Sequence, residues 1–231
     1  DVRLSVDAPV SDARTNVIGL LRVLDGALVG GARKVVFASS GGTIYGEADP
    51  ALLPFDEDTP QRPLSPYGVA KLAGGLYLDV YGVLHGLAGT SLALANVYGP
   101  RQDPNGEAGV VAIFAGRLLS GRPCTVFGTG EQIRDFVYVA DVADALLAAA
   151  ERADGQLLNI GTGVGTSVND LYRTMAAIVG GPDDPERGSA RPGELDRSVL
   201  DATRAVGELG WRPVTGLVDG LRATLEWFSD R

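Results

Sequence analysis

Apolar positions along this chain recur with two periods. Short runs rich in β-branched and aromatic residues, Lys34-Val35-Val36-Phe37-Ala38, Thr90-Ser91-Leu92-Ala93-Leu94-Ala95 and Leu157-Leu158-Asn159-Ile160, carry little polar alternation. Such runs predict strands covered on both faces. Between them lie longer Ala/Leu-rich stretches with a period near 3.6, which predict helices over 11–28, 66–84, 109–119, 140–152, 168–179 and 216–228. The first of these stops at Gly30-Gly31, a glycine signal for a helix C-terminus. Strands alternating with helices predict an α/β fold with a largely parallel sheet. The segment 46–66 is rich in Pro, Asp and Glu and has no period, so it predicts a surface loop; 181–193, with Pro182, Pro185 and Pro192, predicts another. Beyond about residue 100 the strands shorten and the loops lengthen. That change predicts a smaller, less regular lobe built on one end of the sheet.

Composition narrows the function classes. Of 231 residues 45% are hydrophobic and 21% charged, which excludes a disordered chain. A single cysteine excludes an internal disulfide framework, and with a single histidine it leaves no set of His/Cys ligands for zinc catalysis; no metal site is expected. Stability must come from packing, which suits a reducing, cytoplasmic setting. Twenty Lys and Arg against 29 Asp and Glu give a net charge of −9 with no basic run, so neither nucleic acid nor an anionic membrane surface is an expected partner. No apolar run reaches the roughly 18 residues a membrane span needs, and no signal peptide opens the chain.

The strongest local chemical signal is Tyr67-Gly68-Val69-Ala70-Lys71 on the second helix. Residues four apart share a helix face. An ammonium beside a phenol favours the phenolate, and a tyrosine so tuned serves as a general base near neutral pH. Taken alone, the pentapeptide fits two amphipathic side chains on a half-exposed helix equally well. Upstream, the strand Val35-Val36-Phe37-Ala38 runs into Ser39-Ser40-Gly41-Gly42-Thr43. Small polar groups at the carboxyl end of a parallel strand are where open α/β sheets bind ligands. Gly161-Thr162-Gly163-Val164-Gly165 follows a short strand late in the chain and reads as a turn, not a dinucleotide fingerprint. His85 reads as a surface or capping residue and Cys124 as a small packed one.

These features, with further motifs in order along the whole chain, resemble the extended short-chain dehydrogenase/reductase family and, within it, the NAD-dependent nucleotide-sugar epimerases. The motifs are Asn16 in its helix, Asn96-Val97-Tyr98-Gly99-Pro100-Arg101, the stretch 106–114, Phe127-Gly128-Thr129-Gly130, Arg134-Asp135-Phe136-Val137-Tyr138, Asn159-Ile160-Gly161 and Arg191-Pro192-Gly193-Glu194. The resemblance implies a Rossmann-type doubly wound parallel sheet with a smaller α/β substrate-binding lobe. Residues 1–100 would belong to the NAD-binding domain and 101–231 mainly to the nucleotide-sugar lobe, with some segments returning to the sheet. It implies NAD as cofactor and a UDP-sugar as substrate, epimerised at C4 between glucose and galactose through a 4-keto intermediate. Tyr67 and Lys71 would be catalytic, with Thr43 the first and Ser40 the second choice of catalytic hydroxyl. Asn16, Ser39 and Ala95 would join Tyr67 and Lys71 around NAD. Asn96, Val110, Val111, Phe127, Arg134, Arg191 and Glu194 would hold the nucleotide sugar, the two arginines clamping its diphosphate because a guanidinium fork matches phosphate oxygens.

Other activities of the same fold are a UDP-glucuronate 4-epimerase, another sugar-nucleotide dehydratase or reductase, and a non-catalytic NAD(P)-binding sensor. Dehydratases of the family carry a carboxylate where this chain has Gly42-Thr43-Ile44, and sensors often lose the Tyr or the Lys, both present here. The family also implies a homodimer formed through helices 11–28 and 66–84. Departures are Ala93-Leu94, where relatives often have Arg-Tyr, and the glycine pair Gly41-Gly42 beside the catalytic hydroxyl. The strand, GxxGxxG and helix with which members hold pyrophosphate do not occur in these 231 residues. A polypeptide limited to them is therefore expected to bind NAD poorly, and titration calorimetry showing micromolar binding would overturn that expectation.

Overall fold

A computed structural model describes residues 2–47, 52–104, 109–190 and 195–230. The chain begins with a short helix α1 (Val2–Asp7), followed by α2 (Pro9–Ala13), a π-helical turn (Arg14–Ile18) and α3 (Gly19–Val29). Strand β1 (Lys34–Ser40) leads into a single helical turn, α4 (Gly41–Ile44). The long helix α5 (Pro66–His85) and strands β2 (Ala88–Leu94) and β3 (Asn96–Tyr98) come next. Then follow α6 (Val110–Leu119), β4 (Thr125–Phe127), β5 (Ile133–Tyr138), α7 (Val139–Ala149), β6 (Gln156–Ile160) and β7 (Gly165–Ser167). The last elements are α8 (Val168–Val179), β8 (Glu186–Gly188), β9 (Arg197–Ser198), α9 (Thr203–Leu209) and α10 (Leu217–Ser229).

The predicted parallel α/β architecture is present. The first sheet has the order β1-β2-β6, all parallel, with Lys34 opposite Ala88, Ser40 opposite Leu94, and Leu94 opposite Ile160. The second sheet joins β3, β5 and β7, with β9 also on β5; only the β5–β7 pair is antiparallel. Strands β2 and β3 are separated only by Ala95, whose N–H donates to the Ile160 carbonyl, so one extended run feeds both sheets. A third pair, β4 with β8, is parallel and short.

Local signals explain the helix that matters most. Ser65 is extended and accepts the Gly68 N–H at 3.1 Å, Pro66 occupies the first turn, and Gly86 ends α5 in the left-handed region at φ 69°. Helix α5 lies over β1 and β2, burying Leu78 with Phe37, Leu24 and Leu87. Helix α3 packs beside it, and the Tyr81 hydroxyl donates to Asp25 at 2.6 Å. Under the α4 turn a second apolar cluster gathers Ile44, Tyr45, Phe55, Ala93 and Leu200.

The differences from the sequence reading have physical reasons. Helix α1 lacks an apolar stripe; Leu4 and Val6 are exposed and only Ser5 is buried, so its place is set by contact with α5. Segment 46–66 is not wholly a surface loop. Phe55 is buried, its N–H donates to the Val199 carbonyl at 2.9 Å, and its carbonyl accepts the Asp201 N–H at 2.8 Å. Segment 181–193 contains β8, whose three residues show no periodicity and are held by pairing with β4. Leu200 is fully buried where the segment around Phe55 meets α4. Leu200→Ala is expected to cost about 2–5 kcal/mol, read as a lowered urea midpoint at unchanged slope; an unchanged midpoint would contradict this placement of the core.

Candidate active site

The site assembles where the carboxyl ends of β1 and β2 meet the first turns of α5. Alternation along β1 puts Phe37 and Ser39 on the buried face and turns the Ala38 side chain outward. The Lys71 ammonium donates to the Ala38 carbonyl at 3.0 Å. It lies 5.1 Å from the centre of the Phe37 ring and 5.5 Å from that of Tyr67. Burial pushes the Lys71 ammonium below its ordinary range, and the Asp12 carboxylate pulls the other way. The aromatic faces partly offset the lost hydration. The spacing of the pentapeptide thus sets a cation beside a phenol, the arrangement that stabilises charge left on the phenol oxygen. An ammonium has three donors. One of them is directed at the Ala38 carbonyl.

The hydroxyl-bearing turn is held close to Tyr67 by glycine contacts. A Cβ on Gly68 would fall 2.9 Å from the Thr43 carbonyl oxygen, so α4 packs directly on the first turn of α5. A Cβ on Gly41 would run into the Leu200 side chain and lie 3.0 Å from the Ala93 carbonyl. Gly41, the first of the glycine pair that departs from the family pattern, therefore lets the turn sink onto β2 and the Leu200 floor. The Thr43 hydroxyl makes only a long contact, 3.4 Å, with the Ser40 carbonyl. Ser40 itself is extended and does not cap α4 with its side chain. The Asn96 side chain adjoins the same turn, its Oδ1 3.7 Å from where a Gly42 Cβ would stand.

The other sequence-predicted residues sit on several elements. Ser39 is buried at the end of β1 opposite Ala93, and Ala95 joins the two sheets. Asn16 lies in the π-helical turn and donates to Asp12 at 2.8 Å. Val110 and Val111 open α6, with Val111 in the core; Phe127 ends β4 against Gly188. Arg134, on β5, donates to the Ile133 carbonyl at 2.8 Å and reaches the Asp196 carbonyl at 3.5 Å. Arg191 and Glu194 lie outside the described residues. Among the described residues no cluster of His, Cys, Asp or Glu could hold a metal ion, and no helix is long and apolar enough to cross a membrane.

Several residues beside this site escaped sequence reasoning. Ser5 accepts the Tyr67 N–H at 3.1 Å and donates to the Val2 carbonyl at 2.6 Å, so α1 caps the turn that carries Tyr67. Asp12 holds Asn16 with one oxygen while the other is buried without a partner. Asp135 is buried and accepts from the Thr162 hydroxyl and N–H and from the N–H groups of Gly163 and Leu200. Burial raises its carboxyl above the usual range, and these donors work against that shift. A polar residue inside an apolar run, as in Arg134-Asp135-Phe136-Val137, is the one signal that marks such a position in sequence.

This chain belongs to the NAD dependent epimerase/dehydratase family, whose sequence profile matches residues 1–161. It is 49% identical over 231 residues, all of this chain and 73% of the relative, to a UDP-glucose 4-epimerase of Mycolicibacterium smegmatis. Its structure is similar to that of the UDP-glucose 4-epimerase of Thermotoga maritima with UDP-glucose, at TM-score 0.97 and 46% identity, covering 99% of this chain and 74% of that one. It is also similar to the Thermus thermophilus UDP-glucose 4-epimerase in complex with NAD, at TM-score 0.92 and 43% identity, covering 99% and 74%.

A half-buried ammonium gives up part of its hydration, so removing its charge relieves a desolvation cost. Lys71→Met retains the apolar stem and removes the charge. Its melting temperature is expected to equal or exceed that of the parent while turnover falls roughly a hundredfold or more. A variant that melts lower and keeps its turnover would contradict this role.

Proposed function

We propose that this protein catalyses NAD-dependent epimerisation at C4 of a UDP-hexose, interconverting UDP-glucose and UDP-galactose through a 4-keto intermediate. The observation that carries the reading is the Lys71 ammonium, bonded to the Ala38 carbonyl and set 5.5 Å from the Tyr67 ring, beside the α4 turn with its hydroxyl. Relatives that share this whole chain carry the same activity in their names. The donors of Lys71 fit a ribose diol, so Lys71 would hold the nicotinamide ribose, with Asn16, Ser39 and Ala95 completing the contacts to the cofactor. The chemistry that NAD supplies when bound is reversible acceptance of a hydride from C4.

Every other part of the reaction falls to the protein. Tyr67 acts as a phenolate stabilised by the Lys71 ammonium and becomes a neutral phenol on taking the proton from the C4 hydroxyl. Thr43 donates to the same sugar oxygen, with Ser40 as the second choice. Asn96, Val110, Val111, Phe127, Arg134, Arg191 and Glu194 bind the nucleotide sugar, the arginines at its diphosphate. They keep hold of it while the keto-sugar turns and presents its opposite face, and Tyr67 then returns the proton. The turn Gly41–Ile44 carries no carboxylate for work at C5 or C6, which favours epimerisation over dehydration. One buried cysteine and the absence of a disulfide among the described residues suit the cytoplasm.

The protein also pairs with a second copy of itself through α5 and the helical run from α2 to α3. Leu76, Val80, Val83 and Leu84 on α5, and Val10, Ile18 and Val23 on the other run, are exposed large apolar side chains. Leu72 packs inward on the α4 cluster instead, because steps of four advance about 40° around a helix with 3.6 residues per turn. Val80→Glu is expected to convert a dimer to a monomer in light scattering, and a monomeric parent would remove the proposal. For the chemistry, Tyr67→Phe in the full-length protein should lower UDP-glucose to UDP-galactose interconversion roughly 10²- to 10⁴-fold; full activity would refute the role of Tyr67.

A further inference from the structure

Two residues after Thr43, Tyr45 turns its side chain away from the site into the protein and is 1% exposed. Its hydroxyl donates to Oδ1 of Asn159 at 2.7 Å. Asn159 lies in β6 between Leu158 and Ile160 and is fully buried. Its amide nitrogen donates to the Phe55 carbonyl at 2.9 Å, and its backbone N–H donates to the Glu57 carboxylate at 2.7 Å. Glu57 is itself enclosed, its side chain 2% exposed, and is paired with Arg204 of α9 at 3.4 Å. The Tyr45 and Phe55 rings pack with centroids 5.5 Å apart.

One side-chain amide therefore joins three segments. These are the turn that carries Thr43, the segment that leads toward α5 and Tyr67, and strand β6. Covalent connection does not fix the first of these against the second, because residues 45–65 lie between Ile44 and Pro66. Burying an asparagine and a phenol is costly unless every polar atom is matched, and a matched network holds its members in one geometry. We propose that Tyr45 and Asn159 are positioning residues, whose mutual hydrogen bond sets the height of α4 and so aims the Thr43 hydroxyl at the sugar oxygen on which Tyr67 acts. This rests on the epimerase reading, and it adds residues that touch neither substrate nor cofactor.

The test is a double-mutant cycle in the full-length protein, measuring kcat and KM for UDP-glucose in the parent, Tyr45→Phe, Thr43→Ala and the pair. Tyr45→Phe is expected to lower kcat about tenfold, the rate equivalent of about 1.4 kcal/mol, with KM unchanged. In the Thr43→Ala background the same change should cost no further turnover, because there is no hydroxyl left to aim. A purely structural tie would lower the melting temperature and cost the same factor in both backgrounds, which would overturn the proposal. So would an unchanged kcat in Tyr45→Phe, or full turnover in Thr43→Ala. Asn159 supplies an independent arm: Asn159→Leu removes the acceptor of the Tyr45 hydroxyl and should lower turnover by a larger factor in the parent than in the Thr43→Ala background. Equal losses in the two backgrounds would also overturn it. Failure of the parent to interconvert the sugars would instead strike at the epimerase reading itself.

Discussion

The structure turns on one interaction, the half-buried Lys71 ammonium lodged between helix α5 and strand β1. A charge leaves water at a cost, and here it is met by the Ala38 carbonyl and by two aromatic faces. Meeting it requires the helix to run close over the strand, with Phe37 beneath and Tyr67 one turn before the lysine. The same approach brings the first turn of α5 onto the Thr43 carbonyl. The positions of phenol and ammonium are thus consequences of a single packing contact.

That contact is supported from both ends of the chain. Near the start, Ser5 takes up the Tyr67 N–H, and Asp12 holds Asn16 while facing Lys71 electrostatically. From the second half come β6, the Leu200 side chain under Gly41, and Asp135, which accepts the Leu200 N–H. The second half of the chain therefore also builds the floor of the candidate site.

Much of this was legible in the sequence, because it rested on local periodicity and on motifs. The three strands of the first sheet and helix α5 follow from apolar spacing, and Tyr67 with Lys71 from a four-residue interval on one helix face. What stayed hidden depends on partners far apart in the chain. Tyr45 meets Asn159 across 114 residues, and Asn159 meets Phe55 across 104. Helix α1 has no stripe of its own, and β8 is three residues long, so neither leaves a periodic trace. Packing also places the Thr43 carbonyl against the turn that bears Tyr67, a contact that no local pattern marks.

The central claim is that the protein's base acts on the oxygen-bound proton at C4 and leaves the carbon-bound hydrogen out of contact with water. UDP-glucose carrying deuterium at C4, converted by the full-length protein in ordinary water, distinguishes this from abstraction at carbon. The account predicts UDP-galactose that keeps its deuterium at C4. Product in which that label has been replaced from solvent would contradict it.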